Sequence, residues 1–186
     1  LGPATNIAAA ILRDADTMKK VKRIWSMGTA GMGKGNVTEY AEFNVYVDAE
    51  SYDIMLKSEI PITIIGLDMC LGESSLNKDE LERLSALSPL GEFIYKVTGK
   101  IVKHNLKKFS IHAADIPDAV AVAATLWKET VISQKDFHCI CSTENDETYG
   151  KVTLLDEKTA NATVITEFDS VLFKETLFKT VDKTRV

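Results

Sequence analysis

The sequence lacks any apolar run long enough to cross a membrane. The longest candidate, residues 62–67, is far shorter than the roughly 20 residues that a membrane helix needs. The first residues also lack the basic start of a secretory signal peptide. Neither charge dominates, since 22 basic residues accompany 27 acidic ones without a long run of either sign. These absences argue against a membrane or nucleic-acid partner and favour a small ligand.

Cysteine is also scarce. The three cysteines, Cys70, Cys139 and Cys141, form an odd set without a C-x-x-C pair, and the last two are spaced to share one face of a strand. This usage predicts reduced thiols in a soluble, cytoplasmic protein. The length of 186 residues and the 45% hydrophobic content predict a single domain with a sizeable core. Because the first residue is Leu1 and not Met, we also expect the chain to be cut from a longer one.

Strand and helix patterns alternate along the chain. Predicted strands cover residues 21–27, 61–67, 137–141, 151–155 and 162–168, and predicted helices cover residues 7–14, 48–58, 77–87, 89–106, 118–127 and 169–181. The run PITIIGL is continuously apolar, as is typical of a buried parallel strand. The alternation predicts an α/β fold with a mainly parallel central sheet flanked by helices, and ligands at the carboxyl ends of its strands.

A glycine-rich segment, GTAGMGKGN at residues 28–36, follows the first predicted strand. It matches a phosphate-binding P-loop at all but the last position. A P-loop needs a hydroxyl residue after its lysine, and a helix after that, whereas Gly35 follows Lys34 and the next residues are typical of extended chain. A flexible surface loop is the simpler interpretation, and a nucleoside triphosphate site is the less favoured one.

The next candidate site lies in the segment GNVTEYAEFN. If residues 42–44 are extended, Glu42 and Asn44 project from the same face, because strand side chains alternate. A carboxylate beside an amide can accept from and donate to a vicinal diol. A solvated strand or loop without a ligand is the alternative, since isolated polar pairs on strands are common.

Asp118 opens the apolar helix pattern DAVAVAATLW. Aspartate is a favoured helix N-cap, so a structural cap competes with a metal-binding role at this position. The three histidines, His104, His112 and His138, lack the spacing of a helical metal pair, which makes a zinc site improbable. No serine or cysteine lies in a motif typical of a nucleophile.

The segments LGPATNIAAAI, GNVTEYAEFNVYVD, PITIIGLD and PDAVAVA occur in an order and spacing that resemble the inosine-uridine-preferring nucleoside hydrolase family. The resemblance covers nearly the whole chain, and GNVTxxAEFN is its most specific element. It implies the Rossmann-like architecture of that family, with residues 1–186 as the carboxyl-terminal part of a single domain that lacks its amino-terminal strands. It also implies calcium-dependent hydrolysis of ribonucleosides, a homodimer or homotetramer, and a place in nucleotide salvage.

The resemblance places two residues at the calcium. Leu1 falls where a backbone carbonyl coordinates the ion, and Asp118 matches a carboxylate that binds both the ion and the substrate. Oxygen ligands of this kind suit calcium, which takes six to eight of them. In the family, the general base belongs to an aspartate-rich amino-terminal motif that these residues do not contain.

Five further residues match positions that contact the substrate. Asn36, Glu42 and Asn44 match side chains that bind the ribose hydroxyls, Met27 matches a residue that lines the sugar pocket, and Phe43 supplies apolar cover. The resemblance therefore implies that Glu42 and Asn44, together with the aspartate at the calcium, are the catalytic residues of this chain. Fixed oxygens near the sugar would stabilise the oxocarbenium character that develops when the bond to the base breaks.

Two departures concern the leaving base. Pro117 and Leu71 stand where relatives often carry histidines, so the usual candidate for protonating a purine is missing. His112, Asp115, another residue or the intrinsic stability of the base must then assist departure, and the base preference stays open. A non-catalytic protein that keeps the sugar pocket is the rival interpretation.

Overall fold

A computed structural model describes residues 1–156 and 159–182. Its elements, in chain order, are α1 Thr5–Arg13, α2 Ala15–Met18, β1 Ile24–Met27, α3 Phe43–Val47, α4 Ala49–Leu56, β2 Ile62–Ile65, β3 Leu76–Asn77, α5 Lys78–Leu87, α6 Pro89–Phe109, β4 Ala113–Ala114, α7 Pro117–Leu126, β5 Val131–Cys141, β6 Val152–Leu155, β7 Ala162–Phe168 and α8 Ser170–Asp182. The chain divides into two compact units, which are described separately.

The first unit, Leu1–Met69 with Val131–Phe168, is built on a five-stranded sheet in the order β1-β2-β7-β5-β6. Strand β2 pairs in parallel with β1 and with β7, whereas β5 pairs antiparallel with β7 and with β6. The sheet therefore has a parallel part with two antiparallel strands added along one side. The predicted α/β class is confirmed.

The core of this unit forms around β2, whose four residues are all buried, as the apolar run predicted. Helix α4 covers the sheet with Tyr52, Met55 and Leu56, each at most 3% exposed. Asp48 caps this helix by accepting from the amide of Ser51 at 3.0 Å. Both elements are determined by local sequence: β2 by its continuous hydrophobic run and α4 by its capping aspartate.

The second unit comprises Cys70–Thr130 and the segment that begins at Asp169. Helices α5 and α6 form a pair, and a Cβ atom added to Gly91 would lie 1.9 Å from the carbonyl oxygen of Leu84, so glycine allows the helices to approach closely. Asn77 and Glu80 form a capping box at the start of α5. Helices α5, α6 and α8 confirm three predicted helices.

Three predictions of local structure are wrong at their boundaries. Helix α1 begins at Thr5 and not at residue 7, with Ala4 at its cap position, and Thr5 donates a side-chain hydrogen bond to Asp48. Strand β1 begins at Ile24 and not at residue 21. Strand β5 is longer than predicted, because its polar and mostly exposed first half pairs with β7.

Within the described residues, no helix combines the length and the apolar character needed to span a membrane.

Candidate functional site

The glycine-rich segment follows β1 at the carboxyl end of the parallel strands, as predicted. Three hydrogen bonds tie it to the end of β2 and to the segment that follows. The Gly28 amide donates to the carbonyl of Ile65 at 3.2 Å, and the Leu67 amide donates to the carbonyl of Thr29 at 3.0 Å. The Met32 amide donates to the side-chain carboxylate of Asp68 at 2.8 Å. These bonds make the segment part of the sheet's carboxyl edge. Residues 32–40 are nevertheless mostly exposed and form neither helix nor regular strand, so the predicted surface loop is confirmed, with its first residues held to the sheet.

Asp68 is the residue that sequence reasoning missed at this edge. Its carboxylate accepts from the amides of Met32 at 2.8 Å and Met69 at 3.1 Å. Burial raises the pKa of this carboxyl above its ordinary value, although the hydrogen bonds from the two amides act in the opposite direction. Gly31 has a φ of +68°, and a Cβ atom there would lie 1.9 Å from an oxygen of Asp68, so only glycine fits against the carboxylate.

A tight turn follows the glycines. The Gly35 amide donates to the carbonyl of Glu39 at 3.0 Å, and the Val37 amide donates to the carbonyl of Ala41 at 3.2 Å. A Cβ atom on Gly35 would lie 2.3 Å from the oxygen of Ala41. Lys34 pairs with Glu39 at 3.2 Å, and no helix follows directly. The geometry differs from that of a P-loop, whose lysine precedes a helix that faces the phosphates.

The stretch that we predicted to be extended is helical from Phe43 onward. Glu42 is the N-cap of α3, with its carboxylate accepting from the amides of Asn44 at 2.9 Å and Val45 at 3.3 Å. Its carbonyl accepts from the amide of Tyr46 at 2.8 Å. The prediction of an extended segment is wrong because a glutamate cap outweighs the strand preference of the aromatic and β-branched residues that follow.

Helix α3 nevertheless brings the predicted ribose residues together within the first unit. The amide nitrogen of Asn44 donates to the carbonyl of Met27 at 3.2 Å and lies 3.3 Å from its sulfur. The side-chain oxygen of Asn36 accepts from the Phe43 amide at 2.9 Å. Met27 and Glu42 are each 2% exposed, whereas Phe43 is 54% exposed. These hydrogen bonds, together with the continuous chain from Glu42 to Asn44, hold the five residues in one group.

This group presents a defined set of polar atoms. Because Asn36 uses its oxygen and Asn44 uses its nitrogen, the Nδ2 donors of Asn36 and the Oδ1 acceptor of Asn44 have no hydrogen-bond partner among the described residues. Glu42 adds a buried carboxylate between them in sequence. A donor, an acceptor and a carboxylate are the groups that bind a vicinal diol.

Asp118 belongs to the second unit. It lies in the first turn of α7, after Pro117 at the helix start, while Ile116 holds the cap position without a side-chain hydrogen bond. The interpretation of Asp118 as a structural cap is wrong, because proline prefers the first helical position and shifts the cap one residue earlier. The carboxylate of Asp118 is exposed, as is Leu1 in the first unit.

The two residues considered for activating the base also lie in the second unit. Asp115 accepts from the Ser75 hydroxyl at 2.6 Å and from the Asn105 amide at 2.8 Å, so both carboxylate oxygens are used to hold the segment before α7. His112 is exposed and lines a groove of about 370 Å³ between α5 and α6. The structure therefore gives Asp115 a structural role.

In the part of the chain that the structure describes, no group of three or more histidine, cysteine, aspartate or glutamate residues is arranged to hold a metal ion. The three cysteines are buried free thiols, and burial raises the pKa values of Cys139 and Cys141 to about 12. These thiols are suited to packing and not to metal binding or nucleophilic attack.

Comparisons with known proteins agree with the order of the motifs. The sequence profile described as inosine-uridine preferring nucleoside hydrolase matches residues 1–175. The chain is 34% identical to a pyrimidine-specific ribonucleoside hydrolase, RihA, of Shewanella baltica, over 100% of this chain and 58% of that relative. RihA of an Enterobacter species is 32% identical over 69% of this chain and 41% of the relative. The match thus spans little more than half the length of the Shewanella relative and less than half that of the Enterobacter relative.

Solved structures share the fold. A plant nucleoside hydrolase, PpNRh1, matches 98% of this chain and 60% of its own with a TM-score of 0.88 at 23% identity. A purine-preferring ribonucleoside hydrolase from Gardnerella vaginalis matches 98% of this chain and 58% of its own with a TM-score of 0.87 at 25% identity. The architecture described above is that of these enzymes.

Proposed function

Because the chain belongs to the inosine-uridine preferring nucleoside hydrolase family, we propose that this protein hydrolyses the N-glycosidic bond of ribonucleosides, with calcium as its cofactor. The proposal includes residues 1–186 as the carboxyl-terminal part of a single nucleoside hydrolase domain. The hydrogen-bonded group at the start of α3 carries the proposal, because it joins the residues that match the ribose-binding motif.

Asn36, Glu42 and Asn44 hold the ribose in this proposal. The amide donors of Asn36 and the amide oxygen of Asn44 bind the sugar hydroxyls, and the Glu42 carboxylate accepts from one of them. Met27 lines the floor of the sugar pocket, and Phe43 covers it with its exposed ring. Positive charge grows on the sugar as its bond to the base breaks, so a buried carboxylate is worth more in the transition state than in the bound substrate.

Leu1 and Asp118 hold the calcium, through a backbone carbonyl and a side-chain carboxylate. Both are oxygen donors, which fits the preference of this ion, and Asp118 is exposed without capping its own helix. Bound calcium would orient a water molecule and lower its pKa. Two donors are fewer than the ion requires, so water, substrate or other protein oxygens complete the shell.

The substrate we propose is a pyrimidine ribonucleoside. Pro117 and Leu71 have no proton to transfer, and the carboxylate of Asp115 is held by two hydrogen bonds. A pyrimidine such as uracil can leave as an anion that delocalises its charge onto its carbonyl oxygens, whereas a purine relies on protonation. The names of the Shewanella and Enterobacter relatives agree with this choice. A panel of uridine, cytidine and inosine tests it, and faster release of hypoxanthine than of uracil would contradict it.

Base release by the purified full-length protein tests the reaction. Asn44→Ala should lower kcat by on the order of a hundredfold, as expected for a lost transition-state contact. Asp118→Ala should abolish the calcium-dependent turnover. Asp79→Ala is the matched control, because Asp79 is also an exposed aspartate in the first turn of a helix, and its activity should not change. Full activity of Asn44→Ala or Asp118→Ala would refute these roles.

A non-catalytic sugar-binding protein is the rival, favoured by Pro117 and Leu71 in place of histidines. Calorimetry with ribose and calcium, combined with the release assay, separates the two proposals, since binding without release would support the rival. We further propose a cytoplasmic homodimer or homotetramer that acts in nucleotide salvage. Light scattering with size exclusion and cell fractionation test the oligomer and the compartment.

A further inference from the structure

The connection between β5 and β6, residues 142–151, is held in a fixed shape by its own hydrogen bonds. The Gly150 amide donates to the carbonyl of Ser142 at 2.9 Å, and the Ser142 amide donates to the carbonyl of Lys151 at 2.8 Å. The hydroxyls of Ser142 and Thr148 lie 2.9 Å apart. Three bonds across so short a segment make this connection a defined structural element of the first unit.

Gly150 brings this connection against the backbone of α3. Its φ of +76° is in the left-handed region, and an added Cβ atom would lie 3.0 Å from the Tyr46 Cα atom and 3.3 Å from both the Tyr46 nitrogen and the Ala41 Cβ atom. These neighbours are backbone and a buried methyl group, neither of which can move aside easily. Glycine is therefore required here both for conformation and for space.

Tyr149 extends the contact to the start of α4. Its ring meets that of Tyr46 edge to face at 5.6 Å between centroids. Its hydroxyl donates to Glu50 at 2.7 Å and accepts from the Ala49 amide at 3.4 Å. One residue thus joins the end of α3 to the first turn of the next helix.

Lys151 holds the other side of the same segment. Its backbone forms an isolated antiparallel bridge with Ala41, and its ammonium group lies 4.9 Å from the centre of the Tyr40 ring. Ala41 is completely buried and directly precedes Glu42. The connection therefore contacts the chain just before Glu42 and again at Tyr46, on both sides of the proposed ribose residues.

We propose that Gly150 and Tyr149 are positioning residues for ribose binding, which fix the distance between Ala41 and Tyr46 and thereby the placement of Glu42 and Asn44. This inference rests on the proposed function of those two residues. Neither Gly150 nor Tyr149 belongs to the group that binds the sugar. They act through the backbone that carries it, and a shift of about 1 Å at reacting groups is large enough to lower the rate substantially.

Gly150→Ala in the full-length protein tests the inference, with Gly72→Ala as the matched control. Gly72 has a similar φ of +63°, but its added Cβ atom would meet nothing within 4 Å, so the control shares the backbone strain without the collision. Gly150→Ala should lower kcat/KM roughly tenfold, and Gly72→Ala should leave it within about twofold. Equal losses in the two variants would overturn the inference.

A second readout separates positioning from general damage. Removing a ribose hydroxyl from the substrate should lower kcat/KM by a smaller factor in Gly150→Ala than in the wild type, because the displaced residues have less binding to lose. An unchanged factor would overturn the inference. Tyr149→Phe, which keeps the ring and removes the hydroxyl, should show the same effect more weakly and serves if Gly150→Ala does not fold.

Hydrogen exchange supplies a readout that does not depend on activity. Amides of residues 44–46 should exchange faster in Gly150→Ala than in the wild type or in Gly72→Ala. Unchanged exchange at these amides would overturn the inference. If the wild-type protein releases no base, the proposed function fails, while the exchange data still decide whether the connection positions α3.

Discussion

Glu42 links the stability of α3 to the proposed chemistry, so its substitution separates the two. Its carboxylate is buried and accepts from the amides of Asn44 and Val45 at 2.9 and 3.3 Å. Glu42→Ala removes this cap and should lower the free energy of unfolding by about 1–2 kcal/mol. Glu42→Gln keeps an acceptor of the same shape but loses the charge, and should lower it by only about 0.5–1 kcal/mol.

Glu42→Gln, which changes stability little, should have a large effect on catalysis. In the proposed reaction, the carboxylate faces a sugar that becomes positively charged, so the neutral amide of Glu42→Gln should lower kcat/KM on the order of a hundredfold despite its modest effect on folding. Urea unfolding followed by circular dichroism gives the first quantity, and release of base from uridine gives the second. Glu82→Ala, on the exposed surface of α5, is the control and should change stability by less than about 0.5 kcal/mol.

Two results would refute this reasoning. If Glu42→Ala unfolds at the same urea concentration as the wild type, the side chain does not cap α3 in solution. If Glu42→Gln keeps full activity, the negative charge does not act on the sugar, and the proposed role of the carboxylate is wrong. The two outcomes are independent, because one concerns the helix and the other the substrate.

Three other predictions concern the first unit and α6. Burial raises the pKa of Asp68, so its contribution to stability is present below the unfolded value of 3.8 and is lost as the pH rises through the folded value. Asp68→Asn should therefore gain stability relative to the wild type as the pH rises above 3.8, measured by urea unfolding, and a pH-independent difference would contradict this. Gly31→Ala should lower the free energy of unfolding by more than about 1 kcal/mol, whereas Gly99→Ala, in open space within α6, should raise it by about 0.5–1 kcal/mol. Burial raises the pKa values of Cys139 and Cys141 to about 12, so iodoacetamide at neutral pH should label them only after denaturation, and rapid labelling of the native protein would show that they are accessible.

Most of the fold could be predicted because its signals are local. The apolar run at β2, the capping residues Asp48, Asn77 and Asp169, and the proline after Ser88 each define an element within a few residues. Helix α3 could not be predicted in this way, because its residues favour a strand by type. Its helical state depends on a buried cap and on packing against the distant connection between β5 and β6, neither of which periodicity reveals.

The candidate site could likewise be predicted only in part from the sequence. The motif order singled out Asn36, Glu42 and Asn44, and the structure shows their hydrogen bonds around the start of α3, while their role at the ribose stays a prediction. The hydrogen bonds of Asp68 to the glycine-rich segment and of Asp115 to Ser75 join residues about 40 positions apart, so sequence spacing gave no signal for either. Whether the proposed calcium ligands act as the resemblance implies stays a prediction.

The proposed ribose residues are fixed before any ligand arrives. Asn36 is held by the Phe43 amide, Glu42 by the amides that it caps, and Asn44 by the carbonyl of Met27. Immobilising a polar side chain on binding costs about 0.5–1.5 kcal/mol, and here folding has already met that cost for three side chains. These bonds to backbone groups also set the orientation of the Asn36 Nδ2 and Asn44 Oδ1 atoms. It follows that substitutions which loosen α3, even at residues that do not touch the sugar, should weaken binding of the transition state more than they weaken the fold.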